Sequence, residues 1–145
     1  MKTLIVYDSQ HGHTEKIAFT IGKASGARVE HVGKVRPVDL AGLDLLIVGS
    51  PTHGGWYTEP LKALLDALPG LEGGNVAAFD TRTATIWNRI LPFGYAAPRI
   101  ARKLEASSGK LITPPEGFVV LGMEGPLKDG ELERAAAWAV RVLEE

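Results

Sequence analysis

Short apolar runs recur along the chain and are separated by segments with helical spacing. Apolar runs that are rich in β-branched residues and lack polar alternation are typical of strands covered on both faces. Four runs have this character: Leu4–Tyr7, Leu45–Val48, Val76–Phe79 and Phe118–Leu121. The weaker run Ala27–Val32 alternates between apolar and polar residues, which predicts an edge strand.

The segments between these runs place apolar residues three and four positions apart, which predicts amphipathic helices. The second helix should run over Thr58–Leu68 and end at Pro69-Gly70, the third should cover Ala96–Ser107, and the last should cover about Asp129–Glu144. The positions expected to face the core are Ile17, Ala18 and Ile21, then Leu61, Leu64, Leu65 and Leu68, then Ala97, Ile100, Ala101 and Leu104, and finally Leu132, Ala136, Ala139 and Leu143.

Strands that alternate with helices predict an α/β fold with a parallel sheet and helices on both faces. Five strands in 145 residues favour an open doubly wound sheet, with residues 1–145 as one domain, over a barrel, which needs about 250 residues. The longest stretch without a predicted element is Thr81–Tyr95. It is too apolar for a solvated loop, so we expect it to fold over part of the molecule.

Composition narrows the function classes. Hydrophobic residues make up 45% of the chain and charged residues 23%, which is typical of a water-soluble globular domain. The net charge of −1 offers no global field for nucleic acid, and no apolar run approaches the length of a membrane span. Cysteine is absent, which excludes disulfides, thiolate catalysis and iron–sulfur ligation and is compatible with a cytoplasmic location.

The first candidate site is the loop after the first strand. Ligands of open α/β sheets bind beyond the carboxyl ends of the strands. This loop contains Ser9, Gln10, His11, Gly12, His13 and Thr14. It opens into a helix, whose N-terminal N–H groups and partial positive charge suit a phosphate. The alternative is an ordinary turn in which Ser9 or Thr14 only caps the helix.

Two further loops lie at the same predicted edge. The loop after the third strand contains Pro51, Thr52, His53, Gly54, Gly55, Trp56 and Tyr57, and its glycines beside two aromatics suggest a flat apolar ligand. The alternative is that the two aromatics only cover the first turn of the next helix. The loop after the fourth strand contains Asp80, Thr81, Arg82 and Trp87, where polar groups could bind a heterocycle and Trp87 could stack on it or anchor the loop.

Together these loops resemble the flavodoxin family over essentially the whole chain. Ser9, Gly12 and Thr14 match the family's phosphate loop, Ser/Thr-x-Thr/Ser-Gly-x-Thr, whereas His11 replaces a hydroxyl. The resemblance extends to the loop from Gly49, the stretch Gly94–Ala97 and the helix-like connection Pro37–Leu40.

The resemblance implies a flavodoxin-like five-stranded sheet of order 2-1-3-4-5 that binds FMN and passes electrons to a redox partner protein. The fifth strand appears without a long insertion, which implies a short-chain member of the family. The lack of extra loops favours a carrier over a reductase. In the family a backbone peptide of the second loop rearranges on flavin reduction, and we expect Gly54 or Gly55 to be the residue that rearranges.

The distribution of charged residues along the chain differs from the acidic surface that is usual in the family. Between Asp80 and Lys103 there is one acid against five bases: Arg82, Arg89, Arg99, Arg102 and Lys103. A basic segment near the flavin would favour the anionic reduced flavin or an acidic partner. The alternative is a solvated helix face with scattered charges.

Other functions remain open at this point. An NAD(P)H- or quinone-dependent oxidoreductase could use the same FMN, and a flavin-free docking module could keep the fold. A phosphoacceptor receiver domain is set aside, because the third strand ends in Val48-Gly49-Ser50 with no aspartate. A hydrolase lacks its Gly-x-Ser-x-Gly turn. A metal site built from His11, His13 and His53 lacks supporting carboxylates or helical spacing.

Overall fold

The computed structural model describes residues 1–83, 94–122 and 124–145. Its sheet has the order β2-β1-β3-β4-β5, with β6 also paired to β4, and all pairs of named strands are parallel. The strands are β1 (Thr3–Tyr7), β2 (Arg28–His31), β3 (Leu45–Pro51), β4 (Asn75–Thr83), β5 (Lys110–Leu111) and β6 (Glu116–Val120). The predicted fold class and strand order are confirmed.

Four helices lie among the described residues. They are α1 (His13–Ser25), α2 (Glu59–Asp66), α3 (Ala96–Ala106) and α4 (Glu131–Glu144). Two short 3-10 helices cover Val32–Lys34 and Pro37–Leu40, so the helix-like connection before β3 is also confirmed. None of the described helices has the length and apolar character that crossing a membrane requires.

The two faces of the sheet carry separate hydrophobic cores. Because side chains alternate along a strand, Leu4 and Val6 of β1 pack with α2 and α3, whereas Ile5 and Tyr7 pack with α1 and α4. The central strands are buried on both sides, which explains their continuous apolar sequence.

The edge opposite β2 is divided between two strands. β5 pairs with Asn75 and Val76, and β6 pairs with the segment Phe79–Thr83 of the same strand β4. Residues 112–115 separate β5 from β6 and include Pro114 and Pro115, which have no N–H group to donate to a ladder. The predicted fifth strand, Phe118–Leu121, therefore corresponds only to β6, and Leu121 lies beyond its end.

The predicted inner face of the last helix was wrong in part. Leu132 and Leu143 are 40% and 39% exposed, whereas Ala135, Trp138, Ala139 and Val142 are buried. The ring of Trp138 lies edge-on to Phe79 and Phe118, with centroids 6.1 and 6.2 Å away. Burying this large side chain fixes the rotation of α4 about its axis, and this rotation leaves Leu132 and Leu143 exposed.

Strands β3 and β4 are longer than predicted, which moves the start of both candidate loops. β3 continues to Pro51 and β4 to Thr83, with Ser50 and Pro51 paired to Asp80 and Thr81. The stretch Thr81–Tyr95 therefore begins as strand and not as loop. Residues 84–93, and with them the predicted site residue Trp87, lie outside the described residues.

Candidate functional site

A cavity lies at the carboxyl ends of β1, β3 and β4, where the strand order reverses. This is the place where open α/β sheets bind their ligands. Its described walls come from the loops after these strands and from the end of β6. The lining residues are Ser9, Gln10, His11, His13, Thr14, Pro51, Thr52, His53, Thr81, Arg82, Thr83, Val120 and Gly122.

The loop after β1 turns directly into α1 through Gly12. Gly12 has a φ of 86°, a left-handed conformation that favours glycine, and its carbonyl accepts the first helical hydrogen bond, from Lys16 N at 3.1 Å. The Ser9 hydroxyl oxygen accepts from Gly12 N at 3.1 Å and from Glu15 N at 3.4 Å. The loop is thus already folded around the N-terminus of α1, with the Ser9 hydroxyl proton left to donate.

Other donors in the same loop have no acceptor among the described residues. They are the backbone N–H groups of His11, His13 and Thr14. The first N–H groups of a helix have no partner inside the helix, and the helix dipole adds a partial positive charge there. This end of the cavity therefore suits an anion with several oxygen atoms.

A buried pair of hydroxyls joins this loop to β4. The Oγ1 atoms of Thr14 and Thr81 lie 2.8 Å apart, and the two residues are 1% and 4% exposed. One hydroxyl donates to the other, so one of the two protons stays available for a ligand in the cavity.

Two histidines bring unpartnered nitrogens to the cavity. Both ring nitrogens of His13 and Nε2 of His53 are buried without a hydrogen-bond partner among the described residues. The His13 ring lies so close to Gly125 that a Cβ there would overlap it. Buried polar atoms normally have partners, and both of these side chains belong to residues that line the cavity.

The loop after β3 forms a tight turn at Gly54 and Gly55. His53 and Trp56 exchange two backbone hydrogen bonds of 2.8 and 2.9 Å, and the glycines between them have φ values of 55° and 86°. A two-residue connection with both central φ positive is the type I′ turn, which glycine favours. The glycine pair that is expected to rearrange on flavin reduction therefore lies in a closed, hairpin-like turn.

The two aromatics of this loop have different environments. Trp56 is 52% exposed, and the Arg99 guanidinium carbon lies 3.9 Å from its ring centroid. Arg99 Nε also donates to Gly55 O at 2.8 Å, which ties the turn to α3. Tyr57 is buried in the core with α2 and α3. Neither aromatic lines the described cavity.

The third group of predicted residues centres on a buried ion pair in β4. Asp80 is fully buried and accepts from Nε and Nη2 of Arg82, both at 2.8 Å. It also accepts from Ala97 N at 2.9 Å, at the start of α3. Burial raises the pKa of Asp80, and the hydrogen bonds from Arg82 and Ala97 act in the opposite direction.

Arg82 is held on its other sides by Tyr95 and Gly117. Its guanidinium carbon lies 3.6 Å from the Tyr95 ring centroid. A Cβ on Gly117 would overlap the guanidinium, so the glycine of β6 makes room for it. Arg82 therefore lies in a fixed position, with 21% of its side chain exposed, as part of the cavity wall.

Most of the predicted site residues come together at this cavity. The exceptions among those described are Gly12, Gly54, Gly55, Trp56, Tyr57 and Asp80, which lie beside or behind the lining residues. Sequence reasoning missed Thr83, Val120 and Gly122. Thr83 was assigned to an undefined loop, and the contribution of β6 follows from its pairing with Thr81, Arg82 and Thr83, which only the register reveals.

The cavity is electrically suited to an anion. No aspartate or glutamate lines it among the described residues, whereas Arg82 and three histidines do. The histidines do not form a metal centre, because no cluster of three metal-ligating side chains occurs in the described ranges. His31, the fourth histidine, lies elsewhere: its Nδ1 accepts from Gly33 N at 3.0 Å, and its Nε2 lies 3.2 Å from Asp8 Oδ1.

Comparison with known proteins agrees with the fold. The family model of flavodoxin matches residues 5–138, nearly the whole length. The chain belongs to the flavodoxin family. A curated flavodoxin of Aquifex aeolicus is 31% identical over 75 residues, covering 48% of this chain and 40% of that relative. The match thus spans less than half of the relative's own length.

Solved structures show the same architecture. A flavodoxin from the domain Archaea has a TM-score of 0.78 at 21% identity, with 99% of this chain and 97% of that chain covered. Oxidised flavodoxin 2 from Bacillus cereus has a TM-score of 0.77 at 20% identity, with 99% of each chain covered. Rubredoxin oxygen:oxidoreductase from Desulfovibrio gigas has a TM-score of 0.77 at 18% identity, but the match covers 99% of this chain and only 35% of that one.

Flavodoxins are FMN proteins that transfer electrons to redox partners, and membership of the family supports this function for the chain. The flavodoxin fold with a sheet of order 2-1-3-4-5 is present, together with the short sixth strand. The groups that line the cavity fit FMN, because the N–H groups of His11, His13 and Thr14 have no acceptor among the described residues and none of the described lining residues is acidic.

Proposed function

We propose that this flavodoxin carries electrons on one FMN, which binds in the cavity with its phosphate on the loop Ser9–Thr14. The observation that carries the proposal is a set of donors at the start of α1 that the described residues do not satisfy. The N–H groups of His11, His13 and Thr14 have no acceptor among the described residues, and all three residues line the cavity. A phosphate would supply acceptors for these N–H groups.

Each part of the cavity has a role in this proposal. Ser9 and Thr14 would donate from their hydroxyls to the phosphate, and Gln10, His11 and His13 would provide N–H donors around it. Gly12, whose own N–H is bonded to Ser9, would shape the turn. Thr81, which is bonded to Thr14, would contact the polar chain together with Thr52 and His53. Asp80 acts by holding Arg82, and Pro51 adds an apolar surface.

The remaining residues would enclose the isoalloxazine ring. The turn at Gly54 and Gly55, with Trp56 and Tyr57 behind it, would lie along one side, and the contact of Trp87 with the ring remains a prediction from the sequence. Aromatic and glycine-rich walls exclude water and allow a close approach to a flat ring. When bound, FMN supplies one- or two-electron transfer, and the protein sets the potential through the charges and hydrogen bonds around it.

We further propose that the partner is a protein with an acidic docking face and that both act in the cytoplasm. Arg99, Arg102 and Lys103 lie on α3, and Arg99 stacks on the exposed ring of Trp56 beside the second loop. Opposite charges on a partner would steer it to this side of the molecule. The salt dependence of the association rate would measure this contribution.

The experiment is reconstitution followed by a test of electron transfer. Apoprotein titrated with FMN should bind one flavin per chain and quench its fluorescence. The photoreduced protein should then pass electrons to an acceptor protein with an acidic surface, with little oxidation of NAD(P)H in the presence of quinone. Rapid NAD(P)H turnover without a reductase would instead establish an oxidoreductase.

A matched pair of variants separates binding at this cavity from nonspecific association. His13→Ala removes a side chain that lines the cavity, and His31→Ala removes the histidine that contacts Asp8 and Gly33. FMN affinity should fall in the first variant and stay near wild type in the second. Equal affinities in the two variants would contradict the proposed placement.

A further inference from the structure

We propose that the protein binds a second ligand, an anion with a diphosphate group, in a cleft at the amino ends of β1 and β2. The cleft has a volume of about 760 Å³ and lies at the edge of the sheet opposite the cavity described above. The five residues of β1 span about 15 Å, and this length of strand separates the two places. A ligand in the cleft therefore binds independently of one in the cavity.

Four basic residues from separate segments of the chain converge on this cleft. Lys2 precedes β1, Arg28 begins β2, and Lys34 and Arg36 lie in the connection between β2 and β3. Asp39 is the one acidic residue among the described residues that line it. The chain as a whole has a net charge of −1, so this excess of positive charge is local and attracts an anion to the cleft.

The carboxylate of Asp39 shows that two of these bases act on the same place. Arg36 N donates to Asp39 Oδ2 at 2.8 Å, and Arg36 Nη2 lies 3.4 Å from Oδ1. The backbone hydrogen bond from Arg36 is the main cause of the lowered pKa of Asp39, and the charge of Arg28 lowers it further. The field of Arg28, on β2, thus reaches the connection that carries Arg36.

The remaining charge of the cleft is not neutralised by the protein. Lys2 and Lys34 form no ion pair with any described carboxylate. Arg28 contacts Glu30 through Nε at 3.1 Å, which leaves its two terminal nitrogens to donate. Ammonium and guanidinium groups bind phosphate oxygens through charge-assisted hydrogen bonds, and several such groups around one cleft fit a ligand with more than one phosphate.

The shape of the cleft favours a small molecule over a protein surface. Its lining includes the buried Leu4 and the partly buried Val35 and Leu43, which pack in the hydrophobic core. Small-molecule sites are concave, have volumes of roughly 300–1,000 Å³ and combine an apolar lining with a few polar groups. The apolar part can accept an organic group attached to the diphosphate, as in a nucleoside diphosphate.

The test is calorimetric titration at low ionic strength with inorganic pyrophosphate and with ADP, each in the presence and absence of saturating FMN. We expect one binding site per chain for pyrophosphate that FMN leaves unchanged, and tighter binding of ADP if the apolar lining contacts its base. Lys2→Gln/Lys34→Gln should weaken pyrophosphate binding roughly tenfold. The control is Lys110→Gln/Lys128→Gln, which makes the same change in net charge at exposed lysines that line neither the cleft nor the cavity.

Three results would overturn the inference. Equal weakening in the two double variants would show that only the net charge of the protein matters. Loss of pyrophosphate binding on addition of FMN would place the anion on the loop Ser9–Thr14 instead. The third is the absence of binding of either probe. If circular dichroism shows that Lys2→Gln/Lys34→Gln is unfolded, Lys34→Gln alone decides, and an unchanged affinity overturns the inference. Binding of FMN and electron transfer are measured separately, so the proposed function stands or fails independently.

Discussion

The hydroxyl of Thr14 at the start of α1 and the hydroxyl of Thr81 in β4 form a buried hydrogen bond of 2.8 Å. The residues are 67 positions apart in sequence, and the bond fixes the loop after β1 to the strand that carries Arg82. The loop after β1 and strand β4 therefore depend on each other for their positions in the candidate site.

The first prediction concerns this hydroxyl pair. Thr14→Val keeps the shape of the side chain but leaves Thr81 Oγ1 buried without a partner. An unsatisfied buried hydroxyl costs about 1–3 kcal/mol, so the free energy of unfolding should fall by that amount in urea denaturation of the apoprotein. FMN affinity should fall as well, because the loop loses a donor.

The double variant Thr14→Val/Thr81→Val is the control for the first prediction. Replacing both partners with apolar groups of the same shape is close to neutral, so the double variant should be more stable than Thr14→Val alone. Additive losses in the two single variants would show that the hydroxyls do not interact. FMN affinity should remain low in the double variant even though stability recovers.

The second prediction concerns Gly49 in β3, directly before the second loop. Gly49 pairs in register with Phe79, and a Cβ at Gly49 would overlap the Phe79 ring. Gly49→Ala should therefore lower the free energy of unfolding by about 1–3 kcal/mol, the usual cost of overpacking a tight core. Adding Phe79→Leu should recover part of the loss. A stable Gly49→Ala variant would contradict the packing described.

The sequence carries enough information for the layout of the sheet but not for every contact at its edges. The runs around Ile5 and Ile47 are apolar because both faces are buried, and this signal directly predicts central strands. The division between β5 and β6 depends on which residues of β4 each contacts. Pro114 and Pro115 mark a break there, but the register that follows is a property of the tertiary structure.

The site was predicted to a similar extent. Its wall at the start of α1 could be identified because a loop with Gly12 leads from a buried strand into a helix, which is a local pattern. Arg82 was identified by its position after the fourth strand. Its bond to Asp80 and its contact with Tyr95 could not be derived from sequence, because they depend on the extension of β4 to Thr83 and on the space beside Gly117.

The third prediction concerns the loss of protein stability at acidic pH that Glu131 of α4 causes. Glu131 accepts from Val119 N at 2.7 Å and binds Arg134, whose hydrogen bond holds the pKa of the carboxyl below its usual range. A lowered pKa in the folded state contributes stability that is present above the unfolded value and is lost as pH falls through the folded value. Wild-type stability should therefore decline as pH falls below about 4.5, the unfolded value.

Glu131→Gln should be less stable than wild type at neutral pH and should show a flatter stability curve over this acidic range. The measurement is urea denaturation at a series of pH values. Glu133→Gln serves as the control, because Glu133 lies in the same helical turn and is exposed. Parallel pH curves for wild type and Glu131→Gln would show that another carboxyl dominates the acid sensitivity.

The fourth prediction concerns the turn after β3. Gly55 has a φ of 86°, so Gly55→Ala places a Cβ in a strained conformation and should cost about 1–2 kcal/mol. Gly54→Asn should be tolerated, because asparagine adopts left-handed conformations and Asn-Gly is the preferred type I′ pair. Urea denaturation of the apoproteins measures both effects.

The same turn carries the predicted backbone rearrangement on flavin reduction. If the Gly54–Gly55 peptide rearranges, Gly54→Ala and Gly55→Ala should each shift the potential of the first one-electron step in spectroelectrochemical titration. Potentials that stay at the wild-type value in both variants would rule out this turn as the element that responds to reduction. Arg99→Met should also shift the potential, since Arg99 Nε holds Gly55 O at 2.8 Å.

The placement of the phosphate is the central claim, and competition between FMN and riboflavin tests it most directly. Apoprotein should bind FMN at least about a hundredfold more tightly than riboflavin, because only FMN can use the donors of Ser9–Thr14. Ser9→Ala should narrow this difference by weakening FMN alone. Equal affinity for FMN and riboflavin in the unaltered protein, or no binding of either, would contradict the account.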